Sequence, residues 1–153
     1  MKVTEIEKGL FCGVRYNDAT VDAILKFIND NKIPNPVGRD DIHTTVLYSR
    51  KPVFDFEPLG NNIPDWDIKF SGFDLFGEDK NVLVMLLVSP DLVQHHQELM
   101  GAYNASWDWD EYQPHITLSY SSIDFKIDDL PEYGGPLVAS NEYSEELDEK
   151  WED

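Results

Sequence analysis

The sequence has little basic charge, one cysteine and no long hydrophobic run. Twelve Lys and Arg stand against 30 Asp and Glu, so the formal net charge is −18 at pH 7. A surface this acidic repels polyanions, and we therefore expect no extended contact with DNA, long RNA or an anionic membrane. A nucleotide that binds this protein should be small and held by a few local contacts.

Cys12 is the single cysteine, which excludes an intramolecular disulfide. Its apolar surroundings, GLFCGV, are typical of a small core residue and favour a reducing, cytoplasmic setting. The longest apolar run, residues 82–88, is too short to span a bilayer. The first ten residues lack the apolar core of a targeting segment, so we expect a cytoplasmic protein with no membrane partner.

Strand patterns alternate with two helical patterns along the chain. The first helix is predicted to begin at Asp18 as its N-cap, and the second at Ser89-Pro90 and to end before Gly101. Strands are predicted at residues 9–16, 42–49, 66–76, 81–88 and 115–120, and a further one near Leu137. This order predicts one α+β domain over residues 1–138, with two halves that each hold a helix and a histidine-bearing strand.

The end of the chain is strongly acidic. Residues 141–153 contain seven acids and one lysine. We therefore predict an acidic C-terminal tail over residues 139–153. Two interpretations stay open: a disordered, solubilising end, or a lid that folds over a ligand with Tyr143 and Trp151 as apolar anchors.

Two of the four histidines begin the same short pattern, His43-Thr44-Thr45 and His115-Ile116-Thr117. Residues two apart in a strand point to the same face, so each strand should present one imidazole and one hydroxyl together. One His-x-Thr proves little, because a core histidine beside a hydroxyl gives the same pattern. Two copies on predicted strands indicate a shared site.

The pairing has a chemical reason. When a ribose 2′-hydroxyl attacks the neighbouring phosphodiester, one group must take its proton and another must protonate the leaving 5′-oxygen. Imidazole, with an ordinary pKa of about 6.5, can do either near neutral pH. Threonine hydroxyls can donate hydrogen bonds to the non-bridging oxygens, whose charge must be stabilised as phosphorus becomes five-coordinate.

The segments HTTV at 43–46 and PHITL at 114–118 resemble the paired signature of the two-histidine (2H) phosphoesterase superfamily. The order of elements over residues 9–120 is similar to the two-lobed fold of that superfamily. Within it, the size, the acidity and the tail resemble the anti-CBASS nucleases of T-even-type bacteriophages, which degrade cyclic di- and trinucleotide messengers of a bacterial defence. The resemblance implies the same activity without metal or cofactor, carried by His43, Thr45, His115 and Thr117.

Four further residues are predicted to contact the substrate: Tyr16, Tyr112, Glu142 and Trp151. The aromatic loop before the second motif either stacks nucleobases or fills the space between a helix and the sheet. His95 and His96 lack the i, i+4 spacing of helical zinc ligands, and we expect them at the surface. No EF-hand loop, Walker loop or serine-hydrolase elbow occurs in the sequence, and no metal site is predicted.

Two other functions fit the motifs less well. An RNA-processing phosphodiesterase acting on tRNA or on 2′,3′-cyclic phosphates has the same chemistry, but the net charge of −18 disfavours a tRNA substrate. A non-catalytic sponge would bind cyclic nucleotides without cutting them, and such a protein has no need of an acid and a base. The oligomeric state is not predicted.

Overall fold

The computed structural model describes residues 9–122 and 124–147. Its mixed α+β architecture confirms the predicted class. The two helices of this region are α1 (Asp18–Asp30) and α2 (Pro90–Tyr103), and short 3₁₀ turns lie at Arg39–Asp41 and Ile127–Asp129. The strands are β1 (Leu10–Tyr16), β2 (His43–Ser49), β3 (Lys69–Phe76), β4 (Val82–Val88), β5 (His115–Ser119) and β6 (Ala139–Glu146).

The strands form two antiparallel sheets, which we call sheet A, in the order β2-β1-β6, and sheet B, in the order β3-β4-β5. The predicted hairpin is β3 and β4, joined at Gly77–Lys80. Strands β2 and β5 are edge strands that approach each other, with Cα atoms within 8 Å. The segment before β2 also contacts β5, because the Val37 amide donates to the Leu118 carbonyl at 3.0 Å. The two histidine-bearing strands therefore lie where the sheets adjoin.

Helix α1 follows β1 of sheet A but packs against sheet B. The ring of Phe27 stacks on Phe73 of β3, with centroids 5.7 Å apart. Its N-cap is Asn17, whose side chain accepts from the Thr20 amide at 2.9 Å, so the predicted cap at Asp18 is wrong by one residue. An asparagine accepts this bond as well as an aspartate, and the sequence contains both.

Helix α2 follows β4 of sheet B but packs against sheet A. It begins as predicted, with Ser89 accepting from the Leu92 amide and Pro90 in the first turn. It passes through Gly101 and ends at Asn104, which takes the left-handed conformation (φ 51°) that closes many helices. The predicted end is therefore too early. One hydrophobic core joins both helices to both sheets.

Strand β6 corrects the predicted tail. Residues 139–146 are the outer strand of sheet A, paired with β1 from Leu10↔Glu146 to Tyr16↔Ala139. Backbone pairing with β1 outweighs the acidity of this segment, in which Glu145 and Glu146 are exposed and Glu142 is buried. Residues 148–153, including Trp151, lie outside the described residues, and the lid stays a prediction for them. Neither described helix is long and apolar enough to cross a membrane.

Candidate functional site

The first motif lies on β2 as the strand alternation predicts. His43 and Thr45 are half-buried on one face, while Thr44 and Val46 on the other face are fully buried. Thr44, which breaks the apolar alternation, shares a 2.7 Å hydrogen bond with the Tyr16 hydroxyl. The buried threonine is therefore satisfied inside the core, and His43 and Thr45 project together.

The second motif repeats this arrangement on β5. His115 and Thr117 are half-buried, and Ile116 and Leu118 between and after them are fully buried. Tyr120 is exposed, and its hydroxyl lies near enough to the Thr117 side chain to lower the Tyr120 pKa against the effect of burial. The rings of Phe76 and His115 meet edge-to-face, with centroids 5.0 Å apart. Each motif thus presents one imidazole and one hydroxyl.

His115 lies close enough to His43 to lower the pKa of His43. Burial lowers the pKa of His43; Asp41 opposes this, while Arg15 and His115 add to it. Burial also lowers the pKa of His115, opposed by the carbonyl of Gln113. Both imidazoles are therefore easier to deprotonate than a free histidine, which is the property required of a general base near neutral pH.

The two imidazoles differ in how the protein holds them. Nδ1 of His115 donates to the Gln113 carbonyl at 2.9 Å, so the neutral ring carries its lone pair on Nε2. Nδ1 of His43 is buried and is the one such side-chain nitrogen or oxygen in the described residues without a hydrogen-bond partner. The His43 ring instead packs in T-shaped geometry against two aromatic rings. Its centroid lies 5.6 Å from that of Phe11 and 6.3 Å from that of Tyr143. An unsatisfied buried polar group costs stability, which is typical of functional positions.

Sheet A adds Arg15, which sequence reasoning missed, and Tyr143, which it assigned to the tail as an apolar anchor. Register pairs His43 with Arg15 and Arg15 with Asn141, and the next row on the same face pairs Thr45 with Gly13 and Gly13 with Tyr143. The Arg15 guanidinium lies over the Tyr143 ring, 3.7 Å from its centroid. Gly13 leaves room for this, since a Cβ there would lie 3.1 Å from the Tyr143 hydroxyl oxygen. The alternation of β1 could have identified Arg15; the pairing with β6 could not be read from the sequence.

Tyr16 and Tyr112, two of the predicted substrate contacts, both have contacts within the protein. Tyr16 is 5% exposed and lies in the core on the opposite face of β1 from Arg15. Tyr112 donates its hydroxyl proton to the Thr45 carbonyl at 2.7 Å, and its ring stacks on His96 at 4.2 Å. Tyr16 is close to the site in sequence only, because alternation turns it inward.

Glu142 is also turned away from the site face. It is 2% exposed, and its carboxylate accepts from the Leu59 amide at 2.9 Å and pairs with His95 Nε2 at 2.5 Å. Both oxygens have partners inside the protein, so a contact with a base edge, which stays a prediction, would require one of them to be released. Cys12 is a fully buried core residue, as expected; burial raises its pKa, and neighbouring Glu142 adds to the rise.

The adjacent histidines of α2 are not at the surface as predicted. His95 points towards β6 and Glu142, and His96 is 6% exposed and pairs through Nδ1 with the Val46 carbonyl of β2 at 2.7 Å. Both point inward because α2 lies across the face of sheet A. Trp107 packs on His96, with centroids 4.5 Å apart, which places that tryptophan between helix and sheet. Within residues 9–122 and 124–147, no group of three or more His, Cys, Asp or Glu is arranged to hold a metal ion.

The fold and site define an α+β protein with two imidazoles and two hydroxyls on adjoining edge strands. The family described as Anti-CBASS protein Acb1 matches residues 8–153. The chain is 34% identical to the anti-CBASS protein Acb1 of Acinetobacter phage Ac42 over 152 residues, 99% of each chain. It is 32% identical to the protein of that name from Enterobacteria phage T4, an alignment of 161 positions covering 100% of this chain and 97% of the phage protein. The chain therefore belongs to the Acb1 family of anti-CBASS proteins.

Proposed function

We propose that this protein is a metal-independent phosphodiesterase that cuts 3′–5′ linkages of cyclic di- and trinucleotides. The supporting observation is the pairing of His43 and Thr45 with His115 and Thr117 on strands that adjoin at the boundary of the two sheets. In this proposal one imidazole takes the proton of the ribose 2′-hydroxyl, and the other protonates the leaving 5′-oxygen. The product is a 2′,3′-cyclic phosphate, which can then be hydrolysed to a 3′-phosphate.

The four side chains have the chemistry that this reaction requires. The Gln113 carbonyl fixes the His115 tautomer with a lone pair on Nε2, so that nitrogen can accept a proton without a change of tautomer. The hydroxyls of Thr45 and Thr117 can donate to the non-bridging oxygens as their charge grows. The rings of Phe76, Tyr120 and Tyr143 around the two motifs offer apolar faces to nucleobases.

The substrate class follows from charge and family together. A net charge of −18 opposes a long nucleic acid, and small cyclic messengers avoid that cost. Relatives across the length of the chain are named anti-CBASS proteins. We place the activity in the cytoplasm of an infected host, where cleavage of the messenger would let a phage evade CBASS defence.

A panel of cyclic dinucleotides, read by mass spectrometry, tests the proposal. The wild-type protein should release linear products that carry a 2′,3′-cyclic phosphate or a 3′-phosphate, and His43→Ala and His115→Ala should not. Binding without cleavage by the wild-type protein would indicate a sponge. Cleavage of 2′,3′-cyclic mononucleotides, with the panel left intact, would indicate an RNA-processing phosphodiesterase.

A further inference from the structure

Arg15 is unusual among the arginines of this acidic chain. Arg39 forms ion pairs with Asp18 and Asp22, and Arg50 forms one with Asp108. Arg15 has no ion pair with any carboxylate in the described residues, and its guanidinium lies over the Tyr143 ring. With 30 acids available against 12 bases, an arginine held without a carboxylate on the site face is arranged for an anion that is not part of the protein.

Arg15 does not lie on either of the two strands that carry the motifs. His43 and His115 lie on the edge strands where the sheets adjoin, and Arg15 lies one strand further into sheet A. Neighbouring strands are separated by about 4.8 Å. Its guanidinium packs over Tyr143 of β6, the strand on the opposite side of β1 from the histidine-bearing strand β2.

Sheet B offers no equivalent cation beside its motif. Register pairs His115 with Leu86 and Leu86 with Gly72, and the neighbouring row pairs Thr117 with Val84 and Val84 with Asp74. The second of these rows ends in an acid, Asp74, and neither row contains a lysine or an arginine. Sheet A therefore supplies a guanidinium beside its motif for a second negative charge on the substrate, and these rows of sheet B do not.

We propose that Arg15, packed on Tyr143, binds the second, non-scissile phosphate of a cyclic oligonucleotide and so selects cyclic messengers over substrates with one phosphate. The inference rests on the proposed function and names its specificity residue. A guanidinium donates two parallel hydrogen bonds to a phosphate, and its stacking on Tyr143 reduces the entropy lost on binding. A 2′,3′-cyclic mononucleotide or a dinucleoside monophosphate has no second phosphate to make this contact.

The test compares two substrates with each variant. One is a cyclic dinucleotide, and the other is a linear dinucleoside monophosphate that has a single 3′–5′ phosphodiester and the same bases. Arg15→Met keeps much of the apolar stem over Tyr143 and removes the charge. It should lower kcat/KM for the cyclic dinucleotide about 10- to 100-fold, chiefly through KM, because a charge-assisted hydrogen bond is lost. The same variant should change kcat/KM for the linear substrate by less than about threefold.

Two further variants serve as controls. Arg50→Met removes the same charge just beyond the far end of β2, seven residues from His43. It should leave unchanged the ratio of kcat/KM for the cyclic dinucleotide to kcat/KM for the linear substrate. Arg15→Lys keeps the charge but lacks the planar guanidinium. Its kcat/KM for the cyclic dinucleotide should lie between the values for Arg15→Met and the wild-type protein. Thermal unfolding of each variant shows that it is folded.

The outcomes separate the two proposals. If the wild-type protein cuts neither substrate, the proposed function fails. If it cuts both and Arg15→Met slows them equally, Arg15 acts at the scissile phosphate or through the pKa of His43, and the inference is overturned. An unchanged KM for the cyclic dinucleotide would overturn it as well.

Discussion

The hydroxyl of Tyr112 donates a 2.7 Å hydrogen bond to the backbone carbonyl of Thr45. This bond ties the loop before the second motif to the strand of the first. Tyr112 also stacks on His96, which is itself bonded to the Val46 carbonyl. The two motifs are thus held in register by contacts behind the site, and residues that touch no substrate should affect turnover.

Replacing Tyr112 with Phe should test this tie. We expect the free energy of unfolding to fall by about 1 kcal/mol, because the Thr45 carbonyl loses its donor, and kcat to fall with KM little changed. Tyr103→Phe is the matched control, since the Tyr103 hydroxyl has no hydrogen bond to the described part of the chain and its ring packs on Phe56. Equal effects of the two changes on kcat would refute the role of Tyr112.

The variants His43→Phe and His115→Phe should differ in their free energy of unfolding. His43→Phe removes the buried nitrogen without a partner and places an apolar ring between Phe11 and Tyr143, so stability should be unchanged or higher. His115→Phe breaks the bond to the Gln113 carbonyl and should cost about 1 kcal/mol. Both variants should lose activity by at least about 100-fold. Chemical denaturation and initial rates measure the two effects, and marked destabilisation by His43→Phe would contradict the assignment.

The pH dependence of catalysis should reflect two lowered histidine pKa values. A reaction with one neutral and one protonated imidazole gives a bell-shaped kcat/KM centred between the pKa values of the free enzyme. Because burial lowers both from 6.5, the optimum should lie below pH 6.5, and activity should fall as the acid loses its proton at higher pH. A bound phosphate stabilises both imidazolium forms, so the kcat optimum should lie at higher pH. A kcat/KM maximum above pH 7 would be inconsistent with these environments.

Modified riboses should separate binding from chemistry. A 2′-deoxy or 2′-O-methyl group beside the scissile phosphate leaves no nucleophile for the proposed attack. Such cyclic dinucleotides should bind and stay intact, which calorimetry and mass spectrometry can measure together. Cleavage at the normal rate would identify water as the nucleophile and remove the roles given to the two imidazoles.

Glu142 should be a structural residue. Its side chain is 1% exposed and pairs with His95, so Glu142→Ala leaves a buried imidazole and an amide without their acceptor and should cost about 3–5 kcal/mol. Glu145→Ala on the exposed part of the same strand should cost less than about 0.5 kcal/mol. At a temperature where both variants are folded, KM should be that of the wild-type protein. A selective rise in KM for Glu142→Ala without loss of stability would restore the predicted substrate contact.

Periodicity along the chain predicted both helices, the five strands before residue 121 and the two histidine motifs that two of these strands carry. Alternation in HTTVLYS and HITLS places His43 beside Thr45 and His115 beside Thr117, because strand geometry is local. The proline after Ser89 marks the start of α2 for the same reason. The tertiary structure decided which elements meet: the pairing of acidic β6 with β1, the burial of Glu142 against His95, and the stacking of Arg15 on Tyr143. These contacts join residues far apart in the chain. Their energy comes from shared burial and backbone pairing, which composition and periodicity along one segment do not contain.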